Sequence, residues 1–214
     1  MGVEYEYSFY NFNKKEVIKK IKKGNGKKKG TFLFRVQVLI HPLQTPGTYI
    51  RVRDEGHRIT MTYKFKDSKS TFENENEVIV NDFDEAVNIL LGVGCTKKYY
   101  YEKIREIWNL KKSEIVFDSN PGVPDRMEIE SENKSQLSEM VKYFQVNPEE
   151  RSDKYMELFG LIAPKTIDLT FQNVKKNLIN LVKKNKNEFI ILVDHQLKKY
   201  KKIIKKRIIK KNTK

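Results

Sequence analysis

The chain has 214 residues, 38% of them hydrophobic and 33% charged, a formal net charge of +15 and one cysteine, Cys95. That length accommodates one sizeable core with an appendage. A single cysteine excludes an internal disulfide framework and any multi-cysteine zinc site, and no apolar run reaches the roughly 18 residues of a membrane-spanning helix.

The N-terminal Met1-Gly-Val-Glu-Tyr-Glu6 has neither the basic flank nor the apolar stretch of a secretory signal, so a cytoplasmic location is expected. The positive charge is unevenly placed. Residues 165–214 hold sixteen of the 43 basic groups against three acids, a net +13, which leaves 27 basic and 25 acidic groups on residues 1–164, a net +2. The chain therefore divides into a near-neutral domain, 1–164, and a basic extension, 165–214.

In chain order, Val3–Phe9 alternates polar and apolar residues and reads as a strand with Glu4, Glu6 and Ser8 on one face. Asn13 caps a helix carrying Val17, Ile18 and Ile21 that stops at Gly24-Asn-Gly26. After a Lys27-Lys28-Lys29 loop, Thr31–His41 is a second strand with Arg35 and Gln37 on one face, followed by a turn at Pro42, Pro46 and Gly47. Thr48–Arg53 and Arg58–Lys66 form a hairpin about Asp54-Glu-Gly56; Arg51 and Arg53 share a face, as do Arg58, Thr60, Thr62, Lys64 and Lys66.

Phe72–Val80 alternates Glu73, Glu75 and Glu77, and Asp82 or Asp84 then caps a helix with Phe83, Ala86, Val87, Leu90 and Leu91 at helical spacing. Tyr99–Trp108 is a strand with Tyr101, Lys103 and Arg105 on one face. After the Lys111-Lys112 turn come Ile115–Asp118, an irregular Pro121–Pro124 loop and Met127–Glu130, then a helix over Ser135–Phe144. In the extension, Leu169, Phe171, Val174, Leu178, Leu181 and Val182 suggest an amphipathic helix. Phe189–Val193 is a short apolar run, and Leu197, Tyr200, Ile204 and Ile208 lie at helical spacing among lysines. Those apolar stripes call for docking on the first domain or on a partner.

About eight successive strands with charges of both signs at alternate positions are poorly explained by a solvated face. A closed antiparallel barrel with a charged lumen accommodates them, because one parity of every strand then points inward. Glu4 and Glu6, and again Glu128 and Glu130, each place two carboxylates on one strand face. Four convergent carboxylates call for a cation.

Taken in order, Glu4-x-Glu6, Tyr49-Ile-Arg51-x-Arg53, Thr62-Tyr-Lys64, Glu75-x-Glu77, Lys103-x-Arg105, Asp118, Glu128-Ile-Glu130 and Tyr155-Met-Glu-Leu158 resemble the motifs of the CYTH superfamily, the triphosphate tunnel metalloenzymes, over roughly residues 3–160. The resemblance implies an α+β, mainly antiparallel β fold. Its centre is an eight-stranded closed tunnel-like barrel with flanking helices, here followed by a C-terminal helical extension. It implies metal-dependent hydrolysis of a triphosphate with Mg2+ or Mn2+. The family's activities include tripolyphosphatase, thiamine triphosphatase and class IV adenylate cyclase, with RNA 5′-triphosphatases as relatives.

On that basis Glu4, Glu6, Glu128 and Glu130 are the expected catalytic, metal-holding residues, with Asp118, Glu75 and Glu77 as further metal-site candidates. Arg51, Arg53, Lys64, Lys103 and Arg105 are the expected triphosphate ligands, with Arg35 and Lys66 as additional ones. Asp118, Glu75 and Glu77 have a second reading, as partners that hold the Arg and Lys side chains; the plain alternative is cross-strand pairing on a solvated face, worth some tenths of a kcal/mol per pair. The first motif usually reads Glu-x-Glu-x-Lys, and Ser8 stands at the last position. That departure, with the basic extension, keeps open a non-catalytic triphosphate- or RNA-binding module beside hydrolase and cyclase. His41, His57 and His195 show no metal-ligand spacing, Cys95, Trp108 and Tyr99–Tyr101 read as packing residues, and no phosphate-cradling Gly-rich loop is present.

Overall fold

The computed structural model describes residues 2–3, 5–10, 12–43, 47–65, 74–147, 159 and 168–212, with side chains from Tyr5 to Lys205. The strands are β1 (Gly2–Val3), β2 (Tyr5–Phe9), β3 (Lys27–Ile40), β4 (Tyr49–Asp54), β5 (Ile59–Phe65), β6 (Asn74–Val80), β7 (Thr96–Leu110), β8 (Ser113–Ser119) and β9 (Arg126–Ser131). The helices are α1 (Lys14–Lys23), α2 (Phe83–Gly92), α3 (Lys134–Phe144), α4 (Val174–Leu178) and α5 (Lys186–Asn212). Among the described residues, no helix is long and apolar enough to cross a membrane.

The first three helices start where capping side chains allow. Asn13 Oδ1 accepts from the amides of Lys15 and Glu16 at 3.1 and 3.3 Å, Asp82 Oδ1 from Asp84 and Glu85 at 2.8 and 2.9 Å, and Asn133 Oδ1 from Gln136 at 3.0 Å. α1 ends against Gly26, where a Cβ would lie 2.4 Å from Ile21 Cγ2, so a side chain there would force the helix off the sheet.

All sheet pairings are antiparallel, in the order β1-β6-β5-β4-β3-β7-β8-β9-β2. β1 and β2 follow each other in the chain, yet β1 pairs with β6 and β2 with β9. One N-terminal segment thus joins both edges of the sheet, and eight strand positions curl around a lumen. Closure of this kind removes the free edges that an open sheet would expose.

The helices cover the outside. α1 and α3 pack on Phe9, Ile115, Phe117, Met127 and Ile129, while α2 packs on Leu39 and Val52. On β2, β4, β8 and β9 these positions have the parity opposite to that of Glu6, Arg51, Arg53, Asp118 and Glu128, so the outer face there is apolar and the inner face polar. On β3, Leu39 shares its outward parity with Arg35 and Gln37, and Phe34, Val36 and Val38 face inward.

Two elements differ from the sequence reading. Lys27–Lys29, read as a loop, belong to β3: Lys28 pairs in register with Trp108, and the ammonium groups of Lys28 and Lys29 reach Glu106 (2.7 Å) and Glu114 (2.9 Å). The stretch 169–182 is not one helix. β8 stops at Ser119 opposite Ile104, which leaves the edge of β7 open beyond it, and Leu169 fills that edge by a parallel bridge to Tyr101 before the short α4. The apolar run 189–193 and the lysine-rich stripe after it are a single helix, α5. Its buried Phe189, Val193, Gln196 and Tyr200 recur at helical spacing.

Phe171 and Tyr200 share a cluster with Leu33 and Ile104 of the sheet, so the extension docks on the barrel's outer face. The Tyr155–Leu158 motif lies outside the described residues.

Candidate active site

Directly opposed residues of an antiparallel pair point to the same face. The register places Arg51 opposite Thr62, which opposes Glu77, and Arg53 opposite Thr60; Lys64 opposes Glu75. On the other side of β3, Arg105 opposes Asp118, which opposes Arg126, while Glu128 opposes Ser8 and Glu130 opposes Glu6. With Phe34, Val36, Tyr99, Tyr101 and Lys103, these residues form the lumen wall.

At its centre is Asp118, 0% exposed. It accepts from Lys103 Nζ at 2.9 Å, from Arg105 Nε and Nη2 at 2.7 and 2.5 Å, and from Arg126 Nη2 at 3.3 Å. Arg105 Nη2 also reaches Glu128 at 2.5 Å, and Arg126 forms a second ion pair with Glu128.

Burial alone would raise the Asp118 carboxyl, but Arg105 and Lys103 outweigh it and hold the group well below the usual carboxylate range. Burial acts on Glu128 in the same upward sense, and Arg105 with Arg126 brings it below its ordinary value. Lys103 goes the other way: burial, then the neighbouring Arg105 charge, pushes its ammonium down to about 7.

The second cluster lies on β4, β5 and β6. Arg53 Nη2 reaches Glu55 at 2.7 Å and Glu77 at 3.3 Å, Arg51 reaches Glu75 at 3.7 Å, Lys64 reaches Glu75 at 3.3 Å, and Thr62 Oγ1 donates to Glu77 at 2.8 Å. Phe34 lies between the clusters, with the cationic groups of Arg53, Lys103 and Arg105 at 5.7, 5.6 and 5.6 Å from its ring centre. Burial and the adjacent Arg51 lower the Arg53 pKa. In this wall the Nε atoms of Arg51, Arg53 and Arg126 are buried without a hydrogen-bond partner. A buried unpaired donor costs about 1–3 kcal/mol, and three of them face one lumen.

Most of the residues expected in the site are on this wall: Glu6, Arg51, Arg53, Lys64, Glu75, Glu77, Lys103, Arg105, Asp118, Glu128 and Glu130. Glu4 and Lys66 lie outside the described residues. Arg35 does not belong to the site. It opposes Asp54, whose parity is that of the outer-facing Val52; its Nε donates to Asp54 at 2.9 Å, and its guanidinium lies 4.3 Å from the Phe83 ring of α2. Gln37 shares that outward parity and donates to the carbonyls of Val38 and Tyr99. Glu75, Glu77 and Asp118 act here as partners of cations.

Glu128 is bound to two arginines instead of being grouped with Glu130, and among the described residues no three acidic, His or Cys side chains form a metal-holding group. What remains is the directly opposed pair Glu6 and Glu130, half-buried and exposed respectively. Like charges in opposed positions are unfavourable unless a cation lies nearby; the Arg105 charge already acts on Glu6, and a bound cation would relieve the pair further. An oxygen-only set of one or two carboxylates fits a hard cation such as Mg2+, which completes its shell with waters and substrate oxygens.

Sequence reasoning missed Arg126 and Glu55. Arg126 has the parity of Glu128, and extending the last strand by one residue would have found it. Glu55 is in a turn, where strand parity carries no information. It is nonetheless 4% exposed and accepts from Arg53 and Arg58, which outweigh its burial and lower its pKa.

The family model described as the CYTH domain matches residues 42–154, which is 113 of the 214 residues. No curated protein matches the chain in sequence. Among solved structures, the PH1012 protein from Pyrococcus horikoshii OT3 is similar with a TM-score of 0.59 at 20% identity, over 72% of this chain and 98% of that one. A candidate adenylate cyclase from Vibrio parahaemolyticus is similar with a TM-score of 0.61 at 16% identity, over 72% and 96%. At these identities the likeness is one of fold.

Proposed function

Because the chain belongs to the CYTH domain family, we propose that it hydrolyses a triphosphate bound in the charged lumen, with Mg2+ or Mn2+ as cofactor. The observation that carries this reading is the set of three buried, unpartnered guanidinium Nε groups of Arg51, Arg53 and Arg126. A chain of phosphates supplies many acceptor oxygens along a line and satisfies donors that no protein group reaches.

Phosphoryl transfer requires mainly placement and neutralisation of charge on the transferred group. Arg51, Arg53, Lys64, Lys103, Arg105 and Arg126 supply that charge from fixed strands, so little reorganisation is needed when the substrate enters. Asp118, Glu55, Glu75, Glu77 and Glu128 hold these cations apart and in place when they would otherwise repel. Glu6 and Glu130, with Glu4, would hold the cation, which would supply Lewis-acid neutralisation of the charge on the phosphoryl group.

The test is a product-resolved assay on tripolyphosphate, thiamine triphosphate, ATP and a 5′-triphosphate RNA with each metal. Phosphate release that is lost in Glu6→Gln and Glu130→Gln is expected, and no turnover on any of the four would sink the proposal. Cyclic AMP from ATP would decide for the cyclase alternative.

A second reading, a non-catalytic triphosphate- or RNA-binding module, draws on α5. Its apolar face is docked, which leaves Lys198, Lys201, Lys202 and Lys205 exposed. If RNA runs along this face, charge reversal of those four lysines weakens binding and flattens its salt dependence; an unchanged salt slope would argue against it.

A further inference from the structure

The contacts of the basic extension converge on the two elements that frame Asp118. Gln196 of α5 is 2% exposed. Its Nε2 donates to the carbonyls of Asn120 (2.9 Å) and Val123 (2.8 Å), and its Oε1 accepts from the Gly122 amide (2.9 Å). These three groups belong to the loop between Ser119 and Arg126, so they connect Asp118 at one end to Arg126 and Glu128 at the other.

The loop has little room to relax. Gly122 has φ +79°, and a Cβ there would lie 2.8 Å from Val174 Cγ2 of α4. Lys199, also on α5, donates to Ser119 Oγ at 2.8 Å.

The same extension grips the other side of the Asp118 cluster. Leu169 exchanges backbone bonds of 3.0 Å with Tyr100 O and Glu102 N, and the Phe171 amide donates to Glu102 Oε2 at 3.1 Å, beside Lys103 and Arg105 on β7. We infer that Gln196 is a positioning residue for the lumen: it holds the β8–β9 loop so that Asp118, Arg126 and Glu128 keep the spacing that presents the basic groups to an anion. An apolar side chain of the same size would fill the space but leave the Gly122 amide and the Val123 carbonyl without these partners, and the Asn120 carbonyl with only the Val123 amide at 3.3 Å. The kinetic part of this inference rests on the triphosphate reading; the structural part does not.

The test compares full-length Gln196→Leu and Gln196→Glu with wild type and with His195→Ala, an exposed substitution on the same helix. Hydrogen exchange over residues 119–126 is expected to quicken by roughly tenfold or more in Gln196→Leu. Tripolyphosphate affinity and kcat/KM should fall roughly 10- to 100-fold, while exchange in β3 and β4 and the behaviour of His195→Ala stay at wild-type level. Gln196→Glu retains the acceptor for Gly122 but turns a carboxylate oxygen toward the Asn120 and Val123 carbonyls, so loop exchange should quicken in it as well; it replaces the leucine variant if that fails to fold.

A variant that only melts at a lower temperature, with loop exchange and tripolyphosphate affinity within twofold of wild type, overturns the inference. Should wild type neither bind nor cleave tripolyphosphate, the functional proposal fails, and loop exchange in the variants still decides this one: unchanged exchange rejects it, and faster exchange supports it.

Discussion

Asp118 on β8 is directly opposed to Arg105 on β7 and binds it twice, Oδ1 at 2.7 Å from Nε and Oδ2 at 2.5 Å from Nη2. The carboxylate is fully buried and also serves Lys103 and Arg126. Removing one partner of a buried ion pair leaves uncompensated charge and costs about 3–5 kcal/mol. Asp118→Ala should therefore lower stability by about that amount in urea denaturation. Tripolyphosphate should stabilise the variant more than wild type, because the anion replaces the missing charge.

Lys103 sets a pH dependence. Its pKa is about 7 in the folded chain, down from 10.5, with burial the largest cause and Arg105 the next. The unfolded chain then binds more protons between those values, so stability rises with pH from about 7 to 10.5 and the gain is lost as pH falls through 7. Anion affinity moves the opposite way, since the ammonium discharges in the empty lumen as pH rises through 7. Titrations of tripolyphosphate binding on wild type and Lys103→Arg separate this from the ligand's own ionisation: the arginine variant should lose the dependence that Lys103 contributes.

Arg53 and Arg35 test which face of the sheet binds. Arg53 is on the lumen wall with a buried, unpartnered Nε, whereas Arg35 pairs with Asp54 under α2. Arg53→Ala should weaken tripolyphosphate binding roughly a hundredfold. Arg35→Ala should leave it unchanged in the same calorimetric titration while lowering the melting temperature modestly.

Ser8 opposes Glu128, which already pairs with Arg105 and Arg126. Ser8→Lys adds an ammonium to the lumen at that level, and kcat on the best triphosphate should rise on the order of tenfold. An unchanged kcat in steady-state assays would mean that Arg126 already supplies the charge expected at Ser8.

Much of the site was legible because strand parity is a local property. In β4, β5, β7 and β9 the alternation identified Arg51, Arg53, Lys64, Lys103, Arg105, Glu128 and Glu130 as sharing faces, and the register confirms that those faces are one. Parity cannot say which of two faces points inward. Arg35 has a regular place on its strand, but the pairing of Val38 with Arg51 puts Val36 and Val38 inside and sends Arg35 out to Asp54. Turn residues carry no parity, and Glu55 was invisible for that reason.

The amino-acid order by itself determined the strands, the capped helices, the alternating charges that require a lumen and the division into a near-neutral domain and a basic extension, because these depend on backbone periodicity and on side chains within a few residues of one another. Only the tertiary structure decided that one N-terminal segment closes both edges of the sheet, that Asp118 gathers three cations, and that Gln196 reaches back 74 residues to the Gly122 amide. Those outcomes depend on pairing register and on packing between distant segments, where burial makes each unpaired donor or charge costly enough to select a single arrangement.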